Sequence, residues 1–148
     1  MKIGVTFEAD PLAGGAFQQA LNVILLMREK AAAKHEVVYL VTEEAGQREL
    51  ARRGIDAHLL KFGRTSRLLT RLRGSVRFNH LLTRLGIDNP FDREMDRLGV
   101  DLLYFTGPSR LALLLERTNY LFTLWDLCHR DWVEFPEVRN HLAFEARE

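Results

Sequence analysis

Three short apolar runs, separated by stretches of helical periodicity within the first 60 residues, constrain this chain more than any other feature. In residues 2–7, Ile3, Val5 and Phe7 alternate with small side chains, the pattern of a strand covered on both faces. Gly14 and Gly15 then open a helix of about 20 residues, because Phe17, Ala20, Leu21, Ile24 and Leu25 recur at the i, i+3, i+4, i+7, i+8 spacing of one apolar face. A second strand is expected over 36–41, where Val37, Val38 and Val41 surround Tyr39. Thr42 is the expected N-cap of a helix running to Arg53, with Glu43 and Glu44 complementing its dipole and Gly54 ending it. A third strand falls over 57–60. Such β-α-β-α-β alternation calls for right-handed crossovers. The expected fold class is therefore α/β: a parallel sheet with helices on both faces, in three α/β/α layers.

Residues 61–87 change character. Lys61, Arg64, Arg67, Arg71, Arg73, Arg77 and Arg84 occur without an acid between them and are interleaved with leucines. They read either as a solvated arginine face or as a surface that attracts anionic lipid or a phosphorylated substrate. Pro90 suits a first helical turn, and the helix over 91–98 should stop at Gly99. A fourth strand over 100–105, a turn at 106–108, a brief helix or turn over 110–116, a fifth strand over 119–124 and a helix over 137–147 complete the chain.

A length of 148 residues is that of one domain. With 21 basic against 20 acidic residues, no global field marks a nucleic-acid binder. The lone Cys128 points to a reducing compartment, no apolar run approaches a bilayer span, and MKIGVTFE is unlike a secretory signal. The expected location is cytoplasmic, with peripheral contact at the inner face of the plasma membrane through residues 64–84.

Chemistry concentrates in residues 121–138, which follow the fifth strand with Trp125, Trp132, Cys128 and several acids. Asp126 and His129 lie three positions apart, close enough for the carboxylate to orient the imidazole as a general base or as a pair binding sugar hydroxyls. One histidine without a cysteine pair gives no metal-ligand spacing, so no metal is expected. Nothing supplies Cys128 with an orienting group, and spacing along a loop fixes no distance among Asp126, Asp131, Glu134 and Glu137. A loop whose tryptophans merely cover the end of a sheet is the competing reading. The glycine turn at 13–16 either lets a phosphate approach free helix N–H groups or permits close helix packing. It is neither the dinucleotide glycine pattern nor a Walker loop.

Two segments, KIGVTFEADPLAGGAFQQALNVI and TLWDLCHRDWVEFPEVRNHLAFEARE, resemble the N-terminal domain of family 4 glycosyltransferases, the retaining GT-B class. The second is the more specific: W-D-L-x-H-R over Trp125, Asp126, Leu127, His129 and Arg130, then F-P-E-V through Glu137, then Phe144, Arg147 and Glu148. Many members have a histidine directly before the aspartate, where this chain has Trp125. The resemblance implies that residues 1–148 are a Rossmann-like acceptor-side domain. It further implies an enzyme moving a sugar from a nucleotide-diphosphate donor to a glycan or lipid-linked acceptor, in surface polysaccharide or lipopolysaccharide synthesis. That enzyme would need no metal and no cofactor. A C-terminal nucleotide-sugar-binding domain, absent from this sequence, would carry the family's acidic E-x7-E motif and hold most of the donor. Gly14 and Gly15 would then meet the donor diphosphate, Asp126 and His129 would be catalytic, and Trp125, Arg130 and Glu137 would line the acceptor cleft. The chain alone is expected to be inactive and to self-associate through the face the second domain covers. The alternative is a stand-alone Rossmann-like binding module without catalysis.

Overall fold

The computed structural model describes residues 1–8, 14–61, 84 and 89–124. Within them run β1 (Lys2–Phe7), α1 (Gly15–Leu26) continued by a π turn (Met27–Ala31), β2 (Glu36–Val41), α2 (Glu44–Ala51) and β3 (Ala57–Leu59). After these come α3 (Pro90–Leu98), β4 (Leu102–Phe105), a 3-10 turn (Arg110–Leu114) and β5 (Asn119–Phe122). The strands form one sheet in the order β3-β2-β1-β4-β5, and every pairing is parallel. This is the Rossmann-like α/β fold that the alternation predicted.

Alternation along the strands divides the core into two layers. Val5, Phe7, Tyr39, Val41 and Ala57 meet Ala20, Leu21 and Ile24 of α1 and Leu50 of α2 on one face. On the other, Leu40, Leu103 and Phe105 meet Phe91 and Met95 of α3 with Ala112 and Leu114 of the 3-10 turn. Strand β1 turns Gly4 toward this second layer, where a Cβ would stand 2.9 Å from a Leu103 methyl and 3.2 Å from methyls of Leu40 and Val100. The small side chain predicted only as tolerable is thus required by close packing.

Local signals account for most boundaries. Gly54 and Gly99 stop α2 and α3 with φ of 67° and 68°, values that suit glycine. Asn89 caps α3 by accepting from the Phe91 N–H at 2.9 Å, with Pro90 at the first turn. Thr42 is not the cap of α2: Glu43, in extended geometry, occupies that position, and its side chain makes no capping bond. Leu25, expected on the buried stripe, is 39% exposed, since the stripe narrows to Ala20, Leu21 and Ile24. The strands expected over 57–60, 100–105 and 119–124 are shorter, at Ala57–Leu59, Leu102–Phe105 and Asn119–Phe122. The basic run apart from Lys61 and Arg84, and the helix expected over 137–147, lie outside the described residues.

Asp92 is a feature the sequence reading passed over. It is buried on α3, and its carboxylate accepts from the backbone N–H groups of Glu116 (2.8 Å), Arg117 (3.4 Å) and Thr118 (3.3 Å) and from the Thr118 hydroxyl (3.2 Å). The turn leading into β5 is therefore bound to α3 by one charged acceptor. Nearby, Glu94 joins α3 to edge strand β3, receiving Arg97 Nη2 at 2.7 Å and Arg97 Nε at 2.9 Å, with His58 Nε2 at 2.9 Å. The Arg97 hydrogen bonds lead in holding the Glu94 carboxyl below its ordinary value of 4.5; burial opposes them, and His58 adds to the lowering.

Two outcomes are expected. Asp92→Ala removes the shared acceptor of four half-buried hydrogen bonds and should lower unfolding free energy in urea by roughly 1–3 kcal/mol, with Asp92→Asn intermediate. A carboxylate whose folded pKa is depressed stabilises the fold above its unfolded pKa, and that contribution disappears as pH falls through the lower folded value. Glu94→Gln should therefore flatten the loss of stability on acidification from about pH 5 downward, read as melting temperature against pH.

Candidate functional site

In a parallel sheet all strand ends that lead into helices share one edge, and the crevice opens where the strand order reverses. Here the reversal lies between β1 and β4, so Phe7 and Phe105 end side by side. Thr106 Oγ1 donates to the Thr6 carbonyl at 3.0 Å, closing the turn after β4 over the end of β1. Ser109 is buried and donates to Glu8 Oε2 at 2.8 Å, while its oxygen accepts from the Leu111 N–H at 3.1 Å. The backbone donor fixes the direction of the hydroxyl, which leaves its proton for the carboxylate.

Helix α1 begins at this edge. Gly14 has φ 57° and ψ −114°, outside the region open to side chains with a Cβ, and it turns the chain into the helix. The first intrahelical bond runs from Gln18 N to Gly14 O at 3.2 Å, so the N–H groups of Gly15, Ala16 and Phe17 precede the ladder. Among the described residues no side chain caps this end, and no acid sits in the first turn. A Cβ on Gly15 would meet nothing within 4 Å among the described residues. Close packing against the described residues, one of the two explanations for the glycine pair, therefore does not account for Gly15. Phe17 seats the first turn by an edge-on contact with Phe7, ring centroids 5.6 Å apart.

A cavity of about 350 Å³ opens beside this turn, lined by Gly15, Ala16 and Gln19 of α1 and by Thr123 and Leu124 beyond β5. Thr123 is placed by its N–H, which donates to the Phe105 carbonyl at 3.1 Å, and by its hydroxyl, 2.7 Å from the Tyr104 hydroxyl. None of the described lining residues is charged. A larger cavity of about 510 Å³, bordered by Arg28, Tyr39 and Gly54, lies over β2 and β3. Among its lining residues, Val37 and Val38 belong to the first half of β2, away from the C-terminal edge.

Of the predicted site residues, Gly14 and Gly15 stand at this crevice. Trp125, Asp126, His129, Arg130 and Glu137 lie outside the described residues, which end at Leu124 on the cavity wall. The Glu8–Ser109 and Tyr104–Thr123 pairs escaped the sequence reading. The only signal was a polar side chain directly after an apolar strand, at Glu8, Thr106 and Thr123 alike. Among the described residues no three His, Cys, Asp or Glu side chains gather as a metal centre would, and no helix is long and apolar enough to cross a membrane. The chain matches no protein-family model, no curated protein and no solved structure.

The two glycines should respond differently to the same methyl group. Gly14→Ala forces a side chain into a conformation reserved for glycine and should cost roughly 1–3 kcal/mol of stability. Gly15→Ala adds a methyl in open space at a helix start and should leave stability unchanged or raise it by less than about 1 kcal/mol. Urea unfolding of both variants measures the contrast.

Proposed function

We propose that residues 1–148 are the acceptor-side domain of a retaining GT-B glycosyltransferase. The enzyme transfers a sugar from a nucleotide-diphosphate donor to a glycan or glycolipid acceptor of the cell surface. The observation that carries this reading is the glycine start of α1 at the switch point of the sheet: among the described residues it has no side-chain cap, no acid in its first turn, and room at Gly15 for a ligand to reach the backbone. Three N–H groups and the positive end of the helix dipole are suited to the diphosphate. The resemblance of the segments around Gly14 and Asp126 narrows the ligand to a nucleotide sugar.

In the proposed reaction the bond from the sugar C1 to the diphosphate oxygen breaks, and the acceptor hydroxyl oxygen bonds to C1 on the same face. The diphosphate departs with the electron pair, and the N-terminus of α1 stabilises the charge it gains. The acceptor proton passes to a base, a role assigned to His129 oriented by Asp126. Trp125, Arg130 and Glu137 complete the acceptor side, and a second domain supplies most of the donor contacts. The enzyme works at the cytoplasmic face of the membrane, where the arginines of residues 64–84 meet anionic lipid or a lipid phosphate.

The test joins this chain to whatever coding sequence follows it and measures transfer of radiolabelled sugar. Wild type should transfer. Asp126→Asn and His129→Ala should slow turnover by roughly 100-fold or more with the fold intact, and the 148-residue chain alone should be inactive. Wild-type turnover in both variants would remove the catalytic assignment. A stop codon at the end of the chain, with no transfer, would leave a binding module in its place.

A further inference from the structure

The cavity between α1 and the end of β5 has a chemistry of its own. Among the described residues its polar side chains are the amide of Gln19 and the hydroxyl of Thr123, both neutral. Gln19 lies four residues after Gly15, on the same helical face one turn on. It is exposed, and no described residue hydrogen-bonds its side chain, so one acceptor and two donor protons are available. Thr123 and Tyr104 share a single proton between their oxygens, 2.7 Å apart. Whichever hydroxyl donates, the pair retains a second proton and free lone pairs for a ligand. Leu124, 42% exposed, adds an apolar surface to the same wall.

We infer that this cavity binds one sugar ring of the acceptor, with Gln19 as the residue that reads its hydroxyls. Amide and hydroxyl groups match ligand hydroxyls that both donate and accept, and Leu124 matches the C–H face of a pyranose. The described side chains of the lining offer no countercharge to an anionic group, and the free N–H groups of Gly15 and Ala16 on the same wall are what suit a phosphate, so the hydroxylic ring is assigned to the side of Gln19 and Thr123. A volume of about 350 Å³ is at the small end of ligand sites, which suits one ring and not a chain of them. Naming the hydroxyl-bearing ligand a sugar rests on the transferase reading; the preference for a hydroxylic ligand rests on Gln19 and Thr123.

Amide NMR spectra of the isotope-labelled 148-residue chain, titrated with the methyl glycosides of glucose, galactose and mannose, test the inference. At least one glycoside should shift the Gln19, Thr123 and Leu124 amides and the Gln19 side-chain amide. Gln19→Ala should weaken that glycoside about threefold to tenfold, the loss of one or two neutral hydrogen bonds, without lowering the melting temperature. Thr123→Val should weaken it similarly. Absence of these shifts with all three glycosides, or unchanged affinity in Gln19→Ala, overturns the inference. Inorganic pyrophosphate, titrated separately, should move Gly14, Gly15 and Ala16. Failure of that arm alone removes the diphosphate from the transferase reading and leaves the glycoside result standing.

Discussion

A single buried carboxylate determines where the last described strand can lie. Asp92 faces inward beside Phe91 and Met95, among residues that otherwise contribute only hydrocarbon. A carboxylate in such surroundings is tolerable only when its lone pairs are occupied, and the turn at residues 116–118 supplies the donors. The grip is mutual, because the same carboxylate fixes the direction of the turn that enters β5. Through this grip α3 sets the position of β5, and β5 carries Thr123 and Leu124 to the wall of the crevice. The site therefore depends on a residue in a different layer of the fold.

What could be read from the sequence follows the range of the interactions involved. β1 and β2 were legible to the residue because their apolar runs are bounded by polar neighbours. Gly54 and Gly99 were legible because a left-handed stop is a local requirement. Thr42 misled because cap preference is a weak local force, and here Glu43 takes the extended position before the helix. Asp92 carried a signal that went unused: a charged residue three positions from Met95 falls on the buried stripe of its own helix. Gly4 read as filler, although only the methyls of Leu40, Val100 and Leu103 reveal why nothing larger fits.

The candidate site divides in the same way. The glycine pair is visible as a motif because backbone conformation and helix starts are local. Glu8–Ser109 joins positions 101 apart, and Thr106 reaches Thr6 across 100 positions, so neither pairing exists until the sheet has brought the strand ends together. Gln19 looked like an ordinary solvent-facing helix residue. Its interest comes from Thr123, which a parallel topology delivers to the same edge.

The central place of β1 also has a consequence in time. It leaves the ribosome before the other described strands and pairs with β2 soon afterwards, but its other edge waits for β4, with Ile3 opposite Leu102. At typical synthesis rates a gap of about 100 residues is a delay of roughly 5–20 s. Throughout it, the strand destined for the middle of the sheet presents an open row of backbone donors and acceptors. A nascent chain with this order of strands needs that edge guarded, by a transient helix or by a chaperone, until residue 105 emerges.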